Sequence, residues 1–416
     1  MLFKKECKKI LLSLTFWIYC ILVVIMFAEN YYSEAKYPIG KPAKDGSDYG
    51  YMVREDPELI MEGASASLMS DFASNRYVCY PYGFYKAVSL DKEDRDKVEE
   101  YVTEITAWDH DEILKQIDSA EVYYMEHGFS TFPGYKFESV NIDKNMTYER
   151  YKEIMADIDD ILGGGSAYKV ETLASRYSLV PMTYDDAVRE YEDSITEDTV
   201  TGSLARLFSD YTGISLALTP VFAAAALTAA DRRRGMTELV YSRNISSLKL
   251  TFIRYGALVA MMFIPVFLTM IAAAIQAGEV YGDEPLKMHY MFTTTTFWLL
   301  PELMAVTAVG MFLTEFFSAG VAVAAQGSWA FLSLMSGGDE LSGNITKFCL
   351  ICRHNTLYGR SEFMATYNDF VFNRIFYIVL ALVLVLAASY IYHLKRGGRF
   401  NGIRLFGKGG LFRRKA

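Results

Sequence analysis

Catalytic signatures are missing from this 416-residue sequence. There is no HExxH pair, which excludes the zinc-hydrolase helix. There is no GxSxG elbow, which excludes that form of serine nucleophile. There is no GxxxxGKS/T loop to cradle a nucleotide phosphate, and Gly407-Lys-Gly-Gly is only a basic turn. The five histidines (His110, His127, His289, His354, His393) are scattered. Cysteine is scarce: Cys7 and Cys20 lie near the first apolar run, and Cys79 stands alone, so a disulfide-stapled domain is excluded. No internal repeat or low-complexity segment occurs. The sequence reads as no enzyme, with no metal site and no cofactor of its own.

What is abundant is apolar residues in long runs. Six stretches, Ile10–Ala28, Tyr211–Ala230, Tyr255–Ala274, Phe292–Leu313, Phe316–Met335 and Ile375–Tyr392, are each near the ~20 residues a helix needs to cross a bilayer. A backbone in hydrocarbon must bond to itself, so each is expected to be helical. Basic residues favour the cytoplasmic side of short loops. Lys4, Lys5, Lys8, Lys9, the Arg232-Arg233-Arg234 run, Arg243, Lys249, Arg254 and a tail from Lys395 to Lys415 fall on one side. Residues 29–205 hold 37 acidic and 17 basic residues, a net of −20, against −9 for the chain. Both termini are therefore expected in the cytoplasm, with 29–205 outside the cell membrane. The first run is longer than a signal-peptide core and lacks a clear cleavage site, so it reads as a retained anchor.

The expected fold is an α-helical polytopic membrane protein of six transmembrane helices, with a mixed α/β, mainly helical, extracellular domain inserted after helix 1. The boundaries are 1–9 for a cytoplasmic start, 10–28 for helix 1, 29–205 for the domain, 206–393 for helices 2–6 and 394–416 for a basic tail. An extracellular loop 336–374 precedes the last span, and a tight turn at Thr314-Glu315 joins spans four and five. Within the domain, helices are expected after Ser89, over Tyr148–Leu162 up to Gly163-Gly164-Gly165, and from a capping box at Thr183 that runs on through Leu204 and Phe208. Arg76–Ala87, with Tyr82 and Phe84, and Ala167–Val170 read as strands. Asn145-Met-Thr and Asn344-Ile-Thr fit glycosylation acceptors.

The most specific local pattern is the hairpin 231–254. Span two runs into Asp231 and three arginines, and Gly235 permits a change of direction. Met236 to Tyr241 is a short amphipathic piece in which Met236, Leu239 and Val240 face one way. Ser242 or Asn244 caps the helix that carries Leu248 and Leu250 back. One reading is an interfacial elbow that meets lipid headgroups. The other is a docking element for a soluble partner. This pattern resembles the coupling region of bacterial ABC-2 type transporter permeases at Asp231, Gly235, Leu239, Ser242 and Arg243, with Tyr241 where that family usually has proline. Span number, a large exterior domain after span one and the tight turn between spans four and five are similar to that family too.

The resemblance implies the permease subunit of an exporter. It implies pairing with a second permease half, identical or not, and with two cytoplasmic ATPase subunits that carry ATP and magnesium. It implies that Asp231, Gly235, Met236, Leu239, Tyr241, Ser242 and Arg243 couple to the ATPase. Glu302, after Pro301, is a candidate for the transport route, since an ionisable residue at depth faces a bundle interior or a watery cavity unless it reaches an interface or pairs with a neighbour. Gln326 is a second candidate, read foremost as a bond between helices, and Gly320, Ala322, Ala324, Ala325 and Gly327 read as a packing surface. Arg206 and Asp210 are expected to pair at i,i+4. Cys349-Leu-Ile-Cys352 admits three readings: apolar turn residues, a local disulfide or redox pair, or, with His354, part of a metal shell. The alternative function is a membrane-anchored sensor or assembly protein with a ligand-binding extracellular domain. No nucleic-acid partner is expected.

Overall fold

A computed structural model describes residues 2–44, 46, 48–81, 85–124, 133–282, 286–335, 345–354, 356–400 and 403. Tyr82, Phe84, His127, Asn344, Gly407 and the tail from Arg404 lie outside them. The chain forms two units, one over Pro42–Ala187 and one from the segments on either side of it. The second of these begins with α1 (Leu2–Leu11) and α2 (Leu14–Met26), which continues as a π-helical turn over Phe27–Tyr32. The expected start at Ile10 is thus corrected: residues 2–11 are a separate helix. Glu6 and Ile10, four apart, turn inward against the helix Ser247–Val280, while the lysines face out. Ser13 ends α1 by donating to Ile10 O at 2.7 Å, and caps α2 by accepting from Phe16 N at 3.3 Å.

The unit Pro42–Ala187 holds, in order, β1 (Tyr51–Val53), α3 (Pro57–Ser74), β2 (Tyr77–Cys79), β3 (Lys86–Val88), α4 (Lys92–Thr106), α5 (His110–Ser119), β4 (Glu121–Tyr124), β5 (Pro133–Lys136), α6 (Tyr148–Leu162), α7 (Leu173–Tyr177) and β6 (Leu179–Pro181). The strands pair antiparallel as β1–β6, β2–β3 and β4–β5. Ile60, Leu68 and Phe72 of α3, Val98, Val102 and Ile105 of α4 and Tyr151, Ile154 and Ile158 of α6 share one core. Helix α6 stops at Gly163, whose φ of +91° is a left-handed cap. Sequence reading missed α3. It is buried on several faces and so lacks a one-sided stripe, although Asp56 and Pro57 mark its start. The strand expected at Ala167–Val170 does not form; only Ser166 bridges to Cys79, and Val170–Thr172 is a 3₁₀ turn. Thr183 and Asp186 do bond reciprocally at the start of α8 (Tyr184–Glu192).

That helix does not run on into span two. It ends in a π-helical turn, and Thr199 and Val200 adopt positive φ before α9 (Thr201–Leu218). Then follow α10 (Pro220–Arg233), α11 (Thr237–Tyr241), α12 (Ser247–Val280), α13 (Met288–Phe316), α14 (Ala319–Met335), α15 (Arg360–Ala365) and α16 (Tyr367–Arg396). Among the described residues, five segments are long and apolar enough to cross a membrane: Leu14–Tyr32, Thr201–Arg233, Ser247–Val280, Met288–Phe316 and Tyr367–Arg396. The 17-residue α14 is shorter. The fold is that of a multi-pass helical membrane protein. Trp17, Ile18, Ile21 and Val24 of α2 and Ile375, Val379 and Val383 of α16 are exposed, an apolar surface suited to lipid and not to water. Residues 29–41 and 188–205, assigned from charge to the inserted domain, pack with the helices: Tyr31, Ala35, Ile39, Val200 and Leu204 share their core.

Helix α13 is central, packing against α9, α10, α12, α14 and α16. It continues past Thr314-Glu315 to Phe316, so the turn into α14 lies at Phe317-Ser318, later than expected. Small residues set its distance from α10. A Cβ at Gly310 would lie 2.9 Å from Ala224 Cβ and 3.2 Å from Val221 Cγ2. Gly310→Val is expected to destabilise the bundle by about 1–3 kcal/mol, the usual cost of overpacking. Thermal unfolding in detergent checks it, with Gly320→Val, a site with nothing within 4 Å, as the neutral control.

Candidate functional site: the hairpin and the buried ion pairs

The hairpin is built from a helix end, a glycine and three anchors. Arg234 closes α10, Gly235 has φ +64°, and α11 occupies Thr237–Tyr241. Neither Ser242 nor Asn244 caps the following helix. Ser246 does, accepting from Lys249 N at 3.2 Å. The amphipathic expectation is corrected in its direction. Val240 is buried with Leu250 and Tyr392, whereas Met236 and Leu239 are exposed, Leu239 at 58%. On a five-residue helix, adjacent positions 239 and 240 point about 100° apart, so one turns inward as the other turns out. Ser242 and Arg243 are exposed as well.

Charged groups hold this turn in place. Asp231 and Arg254 form an ion pair, and Arg254 Nε lies 3.8 Å from Glu6, which also accepts from Lys9 at 2.8 Å. Three elements, α1, α10 and α12, thus meet at one guanidinium. Arg396, at the end of α16, donates to Tyr241 O at 2.8 Å, to Arg243 O at 2.6 Å and to Ile245 O at 2.5 Å. It satisfies carbonyls that a helix C-terminus leaves open. Tyr241 packs edge-on against Tyr392 at 5.5 Å. Arg232 donates to Thr314 O at 2.9 Å, and Lys395 bonds Glu315 Oε2 at 2.9 Å. Arg233 and Arg234 instead line a cavity of about 240 Å³ at the α1–α2 break. The basic run therefore divides between bracing and surface, a division that charge counting does not show.

At the far ends of the same helices the expected Arg206–Asp210 pair does not form. Arg206 grips Asp198 with both amino nitrogens, at 2.9 and 2.6 Å, where Ser203 also donates at 3.0 Å. Asp210 faces Arg353 at 2.7 Å and accepts from His354 N at 3.2 Å. The break at Thr199 turns Asp198 back over the start of α9, where it outcompetes Asp210 for the guanidinium. Burial pushes the His354 imidazole down to about 4, and its Nε2 bonds Tyr358 O at 2.8 Å.

Glu302 is fully buried and faces Arg374 of α16 at 3.5 Å. Sequence reading placed Arg374 as the last residue of a loop. The helix in fact starts at Tyr367, which puts Arg374 inside it. Its guanidinium also donates to Trp298 O at 2.6 Å, to Cys352 Sγ at 2.8 Å and to Asn373 Oδ1 at 3.1 Å. Gln326 is fully buried too and donates to Ala217 O at 2.6 Å, a bond between α14 and α9. Both route candidates therefore have partners within this chain. Cys349 and Cys352 are in the dithiol form with sulfurs 3.5 Å apart. Among the described residues no group of three His, Cys, Asp or Glu comes together to hold a metal. Comparison with known proteins finds no matching family model, curated protein or solved structure.

Proposed function

We propose that this chain is the permease subunit of an ABC-type exporter, with six spans and its basic ends in the cytoplasm. Helix α14, at about 1.5 Å per residue, is ~26 Å long and close to the ~30 Å of a hydrocarbon core, which supports counting it as the sixth crossing. An even number of crossings puts α1, the hairpin and the end of α16 on one side, in keeping with the ion pairs at Arg254 and the hydrogen bonds of Arg396 that join them. The unit Pro42–Ala187 then lies outside the cell, and its acidity suits a soluble, water-facing domain.

One observation carries the reading: a short helix and the residue before it offer Leu239 and Met236 outward while ion pairs from three elements and Arg396 brace the turn from behind. A braced protrusion transmits displacement. A partner that binds one arrangement of it more tightly shifts the helices behind it. The partner is a soluble ATPase, since the chain has no phosphate loop of its own.

Leu239→Asp places a charge on the exposed apolar tip and is expected to abolish copurification of a coexpressed ABC-type ATPase subunit that the unsubstituted chain retains, with membrane insertion intact. Unchanged copurification rejects the docking role. A chain that retains no ATPase at all, even unsubstituted, returns the protein to the sensor or assembly class.

A further inference from the structure

We infer that Cys349 and Cys352 form a redox-active dithiol that exchanges with an external disulfide, Cys349 acting as the attacking thiol and Cys352 as the resolving one. This site is independent of the exporter reading.

Geometry makes the pair. The two sulfurs are 3.5 Å apart across a four-residue turn, close enough that a disulfide needs a small approach and no rearrangement of helices. The turn itself is held firmly. Asn373 donates from its amide to Thr346 O and to Cys349 O, both at 2.8 Å. Tyr377 donates to Phe348 O at 2.9 Å, and Ile351 N donates to Ser333 Oγ at 3.0 Å.

The two thiols are not equivalent. Cys352 has no exposed surface and lies under the Arg374 guanidinium at 2.8 Å. Cys349 retains 8% exposure, and its sulfur accepts from Thr346 N at 3.4 Å. A hydrogen bond from Cys352 holds the Cys349 thiol down at about 6, against the opposing effect of burial, while burial drives Cys352 well above the usual thiol range. A low-lying, more accessible first thiol and a buried second one are what sequential exchange requires.

The chemistry balances. The Cys349 thiolate attacks one sulfur of a disulfide RSSR, forming a mixed disulfide and releasing RS⁻. Cys352 then loses its proton, attacks Cys349 Sγ and expels the second RS⁻. The two released thiolates take up the two protons of the original thiols. The dithiol is oxidised by two electrons, and RSSR is reduced to two RSH.

The test uses the full chain in detergent, reduced and then exposed to hydroxyethyl disulfide without denaturant. Intact mass of the unsubstituted protein is expected to fall by two hydrogens, and peptide mapping is expected to place the link at 349–352. In Cys352→Ser the mixed disulfide accumulates on Cys349 about tenfold faster than it does on Cys352 in Cys349→Ser. Comparable rates in the two variants overturn the assignment of roles. An unsubstituted protein that forms no internal link while folded, yet links once denatured, overturns the site.

Discussion

Arg374→Met is expected to destabilise the helix bundle by about 3–5 kcal/mol, the range for removing one partner of a buried ion pair. The guanidinium is fully buried and serves Glu302, Trp298 O, Cys352 Sγ and Asn373 together. Methionine fills part of the volume and supplies no donor. Glu302 then loses its only ion-pair partner among the described residues, and one of its carboxyl oxygens already has no hydrogen-bond partner. The double variant Arg374→Met with Glu302→Gln is expected to recover about half of the loss, because the stranded charge is gone. Thermal unfolding of the purified protein measures both. A single variant that unfolds at the unsubstituted midpoint removes the pair from the account of what holds α13 to α16.

The second large effect is expected at Arg254→Leu. Asp231 and Glu6 come from different helices and meet only at this side chain. Leucine supplies no charge, which takes the guanidinium from Asp231 and leaves Glu6 with Lys9 alone, at about 3 kcal/mol or more. Because the lost bonds fix α1 and the hairpin to α12, the damage is local. Protease sites in residues 231–246 and in α1 are expected to open well below the temperature at which the helices unfold. Glu6→Gln is expected to be milder, since Asp231 still holds Arg254. Uniform loss of stability in Arg254→Leu, with no early cleavage at the hairpin, would show that the network does not brace this turn.

Much of the bundle was legible because hydrocarbon solubility is a property of consecutive residues. The runs near Tyr255–Ala274 and Phe292–Leu313 lie inside α12 and α13, and Gly235 marks its turn because few other residues accept a φ of +64°. Helix lengths were underestimated because helices continue past the apolar core: α12 has 34 residues, ~51 Å at the usual rise. Amphipathic α1 was hidden because its exposed lysines dominate local hydropathy, and its fully buried residues are Glu6 and Ile10.

The ion pairs were the least legible. Arg206 and Asp210 have ideal helical spacing, yet each takes a different partner, Asp198 and Arg353, brought in by the strained turn at Thr199 and by the loop before α15. Arg374, at the edge of an apolar run, looks like a residue that flanks a membrane. Only the earlier start of α16 turns it inward.

Taken alone, the order of residues determined that this chain has several lipid-compatible helices, a polar insertion between the first two and a basic elbow, since hydropathy, turn chemistry and net charge are local sums. Tertiary structure decided which charges are buried, which partner each one meets, which side of α11 is presented and that two thiols share one turn. Those outcomes depend on where other helices place a donor or acceptor within about 3 Å, a distance that no spacing along the chain specifies.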